Sequence, residues 1–241
     1  ISGAPTKSVM SIVSDRDRHL IILGTETTIG SASTQDKMFI RFSDQESLTD
    51  YTATSVNTAG SFRIDSGTKI IGAAKAKDYI LILTDTSAYL MQFVGPPFTF
   101  SIRQVGSNCG CVGQHSIVYA NGAVYWISDS GGFFMFDGTV KALPSLVEDF
   151  VFQTNDNAPG FNFASGSEIT YAAHNSLFSE ISWFYASSTS SYIDRQVTFN
   201  YAEQTWTTSS LARTTFTGAH LFDQPIATEF DVSFTPTIPT V

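Results

Sequence analysis

Apolar residues along this chain fall in short runs separated by Gly, Pro, Asn, Asp and Ser. The runs are His19–Gly24, Lys37–Phe42, Asp78–Leu83, Ala88–Val94, Ser116–Tyr119, Ala123–Ile127, Gly132–Phe136, Glu180–Tyr185 and Gln196–Tyr201. Each is rich in β-branched or aromatic residues and bounded by turn formers, which predicts strands. Asn121-Gly122, between two such runs, is the best hairpin signal in the chain, because both residues tolerate positive φ. Asp137-Gly138 is a second turn, and Asp129–Gly132 joins the Trp126 run to the Phe134 run. Gly95-Pro96-Pro97 must stop its strand, since Pro donates nothing to a ladder. Helical spacing is rare. Ser145–Phe152, apolar at 146, 147, 150 and 151, fits one or two turns of helix after Pro144, with a strand as the alternative. Ser43–Leu48 has the form of a short capped turn, with Ser43 as cap and Glu46 three residues on.

The runs repeat. Ile12-Val13, Ile70-Ile71, Ile117-Val118 and Ile169-Thr170 are each followed by a strongly apolar strand (20–23, 79–83, 123–127, 181–185). A polar turn and a third strand come next (38–42, 88–94, 133–136, 196–201). A more polar fourth strand follows, as in Ser61–Asp65 and Phe98–Arg103. Four antiparallel strands in roughly 40–50 residues are the unit of a propeller blade. The predicted fold is therefore all-β and propeller-like, with about four blades starting near 12, 70, 117 and 169. A β-sandwich is the alternative. The propeller-like domain is expected over residues 1–212. Residues 213–241 are expected as an extended segment that continues or closes it, with Ala219–Phe222 and Ala227–Phe230 as its apolar stretches.

Composition sharpens this picture. The 241 residues include 30 Ser, 28 Thr and 20 Phe, but only 15% are charged. That is little Lys and Glu for surface helices, and much of what half-buried strands use. No apolar run approaches the ~18 residues of a membrane-spanning helix. The sequence begins Ile-Ser-Gly-Ala-Pro and ends Phe234–Val241 as if a strand continued, so it is expected to be one ordered part of a longer polypeptide. The net charge is −9, with 13 basic against 22 acidic residues. Affinity for nucleic acid comes chiefly from Lys and Arg displacing counterions, so a phosphate-gripping surface is not expected.

Motifs of catalysis are missing from the sequence: it has no Gly-X-Ser-X-Gly elbow, Gly-X-Gly-X-X-Gly or Walker loop. Ser128-Asp-Ser-Gly131 departs from the Asp box of sialidase propellers and reads as a turn. Asp15, Asp17, Asp44 and Asp50 could in number supply a carboxylate pair for glycosidic chemistry, but nothing in the sequence pairs them, so they read as solvated loop acids. His19, His115, His174 and His220 lack metal-ligand spacing and read as strand-end or surface residues. Cys109 and Cys111 sit too close along a strand for an ordinary disulfide. They read as structural thiols beside a Gly turn, with His115 the sole further ligand candidate. Trp126, Trp183 and Trp206 lie in apolar alternation and read as sheet-to-sheet core. No catalytic, cofactor-binding or metal-binding residue is assigned, and no enzymatic activity is expected.

Several stretches, taken in order, resemble the tail nozzle or tail tubular proteins of short-tailed bacteriophages, a group also described as DNA-stabilisation or tail-hub proteins. They are Arg41–Asp44, Thr84–Gln92, Val94-Gly-Pro-Pro-Phe98, Ala123–Trp126, Phe133–Gly138, Glu180–Tyr185, Asn200–Trp206 and Leu211–Thr214. The resemblance covers residues 36 to 214. It implies a structural virion protein of the tail, with a propeller-like body. Copies, typically six, would form a ring below portal and adaptor proteins. The ring would carry fibres and pass genomic DNA without binding it specifically. No catalytic residue carries over from it. A second expectation is a carbohydrate-binding or glycan-cleaving receptor-recognition module of a phage tail or cell surface. That module would need exposed Trp or Tyr beside paired carboxylates.

Overall fold

The computed structural model describes residues 3–154, 159–217 and 226–229. The first sheet is β1 (Met10–Ser14), β2 (His19–Leu23), β3 (Phe39–Phe42) and β4 (Gly60–Arg63). The second is β5 (Ile70–Lys75), β6 (Ile80–Thr84), β7 (Ser87–Gly95) and β8 (Thr99–Ser107). The third is β9 (Val118–Ala120), β10 (Ala123–Ile127), β11 (Phe133–Phe136) and β12 (Val140–Ala142). The fourth is β13 (Tyr171–Asn175), β14 (Glu180–Tyr185), β15 (Arg195–Asn200) and β16 (Thr205–Ser210). In every one the strands lie side by side in chain order and pair antiparallel. Sandwich sheets exchange strands through Greek-key connections. Here none of the four does, and the chain is all-β and propeller-like, a succession of four-stranded blades.

The blades begin at Met10, Ile70, Val118 and Tyr171, beside the predicted repeat starts. The helical reading of Ser145–Phe152 is realised as one short helix, α1 (Glu148–Phe152). The capped turn predicted at Ser43–Leu48 forms no helix. The Ser43 hydroxyl accepts the Leu20 N–H at 2.9 Å and donates to the Asp44 carbonyl, tying the loop to β2. Glu46 sits at φ 60°, which a right-handed helix cannot contain.

The chain divides into two compact units, Ile1–Pro144 and Ser145–Val241. The first holds three blades. The second holds α1, the fourth blade and a two-stranded sheet of β17 (Arg213–Thr217) and β18 (Ile226–Glu229). The boundary read after residue 212 falls inside this second unit. There Tyr171 donates to the Arg213 carbonyl, and Phe216 packs on Phe184 with ring centroids 5.8 Å apart. The expected stretch Ala219–Phe222, residue 230 and the strand-like tail 234–241 lie outside the described residues.

Side-chain alternation explains how the first unit stacks. Ile80 and Ile82 of β6, with Tyr89 and Met91 of β7, join Ile21, Leu23, Ile40 and Phe42 in one core between the first and second blades. The intervening Leu81, Leu83, Ala88 and Leu90 point the other way, into a core with Val124, Trp126 and Phe136 of the third blade. All five residues of β6 are buried because it has a blade on each face. Each full burial of such a side chain contributes about 1.5–3 kcal/mol. The fourth strands are the polar ones. β16, Thr-Trp-Thr-Thr-Ser-Ser, exposes five of its six residues, which is where part of the excess of Ser and Thr goes.

Turn chemistry holds as read. Asn121 and Gly122 take φ 48° and 82°, the paired positive values of the two-residue hairpin turn between β9 and β10. The Asn-Cys-Gly-Cys stretch is a connector between blades. The Cys109 N–H donates to the Thr86 carbonyl and the Cys111 N–H to the Thr84 carbonyl, each at 3.0 Å. Trp126 donates its indole N–H to the Cys109 carbonyl at 2.9 Å. Gly110 presses so closely on the turn after β6 that an added Cβ would stand 1.9 Å from the Asp85 carbonyl oxygen. Backbone cannot yield as a flexible side chain does. We therefore expect Gly110→Ala to destabilise the fold by about 3 kcal/mol, the upper end for overpacking. Urea unfolding measures it. A loss under about 0.5 kcal/mol would show that the connector is not tightly held.

Candidate functional site

In an antiparallel meander the first and third turns emerge at the same end of the blade. That end of the first two blades collects the segments after β1, β3, β5 and β7. It carries two concavities and a protruding hairpin.

One depression is a cleft of about 330 Å³ between the turns after β1 and β5. Its rim alternates in charge. Lys75 pairs with Asp15, and Arg16 with Asp78 at 3.2 Å. These pairs are exposed, and pairs of that kind contribute at most about 1 kcal/mol. Tyr79, Phe93, Phe100 and Tyr119 form the aromatic lining. The Tyr79 hydroxyl is buried without a hydrogen-bond partner, and burial raises its pKa above the ordinary phenol range. A groove of about 400 Å³ lies beside the first blade, floored by Val13, Leu20 and Leu48 and rimmed by the Arg18–Glu46 ion pair.

His19 opens β2, a strand end as read, and is completely buried rather than at the surface. Its Nε2 lies 3.1 Å from the Thr58 hydroxyl. That hydroxyl spends its one proton on the Asp44 carboxylate at 2.6 Å, so Nε2 must be the donor to it. Nδ1 is then a buried acceptor without a partner. Burial lowers the imidazole pKa below 6.5, against the opposing pull of Asp17 and Asp44. Hydrogen bonds from the Thr58 side chain and backbone hold the Asp44 carboxyl below its ordinary range. The four loop acids are not paired with one another; Asp15 is exposed as read, Asp17 is buried, and each has a partner of another kind. Asp17 accepts the Ser14 hydroxyl, Asp44 takes Thr58, Asp50 takes Asn57, and Asp15 takes Lys75. The Asp44–Thr58–His19 chain resembles a proton relay in its order. Its free nitrogen, however, is enclosed beside the Phe93 and Phe100 rings, so it can present no base to a substrate.

What the chain of bonds does is grip a hairpin. Thr99, the first residue of β8 and the partner of Gly95 beside the turn, donates to the Thr58 carbonyl at 3.0 Å, and Phe100 makes edge contacts with His19, Phe42 and Phe93. Here β7 and β8 outrun their sheet. β6 pairs only with Ala88–Met91, whereas β7 continues to Gly95 with β8 as its partner. The tip is apolar and exposed: Phe93 at 37%, Val94 at 55% and Phe98 at 77%, with Pro96 and Pro97 between them. In the sequence Pro96-Pro97 reads as a strand stop and as part of the Val94–Phe98 motif, with no sign of its exposure. The further signal was the lack of any charge between Asp85 and Arg103.

The other singled-out residues are dispersed. Trp126 and Trp183 are fully buried and offer no face to a ligand, while Trp206 is half-buried against Phe199. His115 is exposed, His174 lies 3.1 Å from the Tyr201 hydroxyl, and His220 is outside the described residues. Cys109 and Cys111 are free and buried, their thiols pushed up by burial to about 11 and about 12. Among the described residues no cluster of three or more His, Cys, Asp or Glu is arranged to hold a metal. No helix among them is long and apolar enough to cross a membrane.

No family model and no curated protein matches the sequence. Among solved structures, the N-terminal domain of Nup159 is similar at 10% identity and a TM-score of 0.44, over 87% of this chain and 44% of that one. The apocarotenoid oxygenase of Synechocystis is similar at 12% identity and a TM-score of 0.38, over 87% of this chain and 50% of that one. The chain thus spans half or less of the length of either.

Two outcomes follow from these environments. His19 binds its proton less readily in the folded protein than in the unfolded chain, so the unfolded chain holds more protons just below pH 6.5 and stability falls as pH drops through that value. We expect the melting temperature to decline between about pH 7 and pH 5.5, and His19→Gln to remove most of that slope; an unchanged slope would assign it to other groups. The two thiols should resist a maleimide at about pH 8 in the native protein and react on unfolding, as mass spectrometry would count; labelling of either in the native state would contradict their burial.

Proposed function

We propose that this chain is a structural subunit of a phage tail nozzle, assembled with like copies into a ring through which genomic DNA leaves, beneath portal and adaptor proteins and bearing fibres. The single observation that carries the reading is the ordered run of family-like motifs and where they fall. Thr84–Gln92 runs from the end of β6 through the turn into β7, and Val94–Phe98 is the exposed hairpin tip. Ala123–Trp126 lies in β10, Phe133–Gly138 in β11 and its turn, and Glu180–Tyr185 is β14. These are blade-defining segments, not one local patch. The acidity supports the same role. A wall that holds few Lys and Arg displaces few counterions from DNA and so retains it weakly. A closed ring requires heterologous contacts, one face of each copy against a different face of the next.

The second reading, a glycan-recognition module, is favoured by the cleft between the turns after β1 and β5. Tyr119, 39% exposed, stands there beside Asp15 and Asp78.

Native mass spectrometry of the purified full-length protein should find a closed ring of like copies. The same sample should fail to retard duplex DNA at roughly 0.15 M salt. A stable monomer at every concentration, or tight salt-sensitive DNA binding, would overturn the nozzle reading. Specific retention on a glycan array that Tyr119→Ala abolishes would favour the second.

A further inference from the structure

We propose that the tip of the β7–β8 hairpin, Phe93–Phe98, is the face by which one copy of this chain holds the next, seated in the groove that Val13, Leu20 and Leu48 floor on the following copy. The inference rests on the ring reading above and adds which surfaces make the contact.

Shape and rigidity argue for the tip as the inserted element. From Gln92 to Ser101 the two strands pair with each other beyond the reach of β6, so they extend past their own blade as a two-stranded finger that leans on the first blade through Thr99 and Phe100. A bare two-stranded finger is of marginal stability in water unless something braces it. This one is braced close to its turn by the Thr99–Thr58 hydrogen bond and by the ring cluster of Phe93, Phe100, His19 and Phe42, which leaves Val94 and Phe98 as its exposed apolar side chains. Its apolar side chains are thereby presented at little further cost in conformational entropy, which is what a contact surface requires. Phe98 at 77% exposure and Val94 at 55% have no core of their own to fill. Aromatic side chains of this kind are the usual anchors at the centre of an interface.

Charge argues that the occupant is a second copy. Each chain carries −9, so two copies repel, and they meet at least cost through surfaces of no net charge. The finger is such a surface, with no charged residue from Thr86 to Ile102. The groove is another. Its Arg18 and Glu46 are paired with each other, and its Asp15 with Lys75. A basic partner would be drawn to the acidic loops and would gain nothing from an uncharged finger. The groove floor matches the finger in chemistry, since Val13 is 45% exposed and Leu48 59%. One surface is convex and the other concave, and the two lie on different blades. A contact joining them is heterologous, and repetition of it can close a ring.

The test uses the full-length protein, a tip variant with Val94→Ser and Phe98→Ser, and a groove variant, Leu48→Glu. All three positions are exposed, so each variant should keep the wild-type circular dichroism and melting temperature. The wild type should form rings by native mass spectrometry. Either variant alone should be monomeric at that concentration, with half-assembly displaced by about thirtyfold or more, as for loss of an interface anchor. An equimolar mixture of the two variants should form a two-copy species and nothing larger, because each retains one half of the contact. Rings that persist in the tip variant, or in the groove variant, overturn this proposal and leave the ring reading standing. A wild type that stays monomeric overturns the ring reading and this proposal with it.

Discussion

Two-sided burial of the middle strands is the constraint on which the first unit depends. β6 places apolar residues at four successive positions, Ile80 to Leu83, so neither face of its sheet can meet water. Alternation sends Ile80 and Ile82 to one neighbour and Leu81 and Leu83 to the other. A sheet of that kind cannot sit at the surface of a sandwich, where one face is solvated. It must lie between two others. Short apolar strands in sequential hairpins then leave stacked blades as the economical arrangement. The connector Asn108–Cys111 is a consequence. It runs against the turn after β6 so closely that only a glycine fits between two cysteines, and it receives the Trp126 indole on its carbonyl.

The fold was readable because it is written in local signals. Strand runs, the Asn121-Gly122 turn and the four repeat starts depend on residues close in sequence, and each has an unambiguous physical meaning. Ser43–Leu48 misled because a capping pattern specifies only what a hydroxyl could do. Here the Ser43 hydroxyl found the Leu20 N–H, 23 residues away, instead of a local amide. His19 misled for the same reason. A lone histidine at a strand start gives no sign of burial, since the groups that enclose it come from the β3–β4 segment and from the next blade. That residues 213–217 stay with the fourth blade was also unreadable, because Tyr171 and Phe184 reach forward to β17 through contacts the pattern does not announce.

The candidate site shows the same limit. Thr58, the residue that joins Asp44, His19 and Thr99, lies in a polar stretch with no motif around it. Its importance follows from three partners that the fold delivers from three different segments. The apolar hairpin tip, by contrast, was written in the sequence as an uncharged interval closed by Gly-Pro-Pro-Phe. It was read as punctuation because proline stops a ladder. That stop and the exposure are one event: where the ladder ends, Val94 and Phe98 have no neighbouring strand to cover them.

Charge scarcity then acquires two separable consequences. Over the chain as a whole, a surplus of nine negative charges disfavours both phosphate and a second copy. Self-assembly under that repulsion calls for patches from which charge has been removed or cancelled. The finger removes it, and the groove cancels it through Arg18–Glu46 and Asp15–Lys75. Exposed ion pairs add little stability within one molecule. In the proposed contact their value would lie elsewhere, because a self-neutralised rim would let an apolar floor receive an apolar finger without stranding a lone charge, whose burial would cost several kcal/mol. In the proposed nozzle ring, an acidic body with neutral contact faces would admit a second copy while holding DNA weakly.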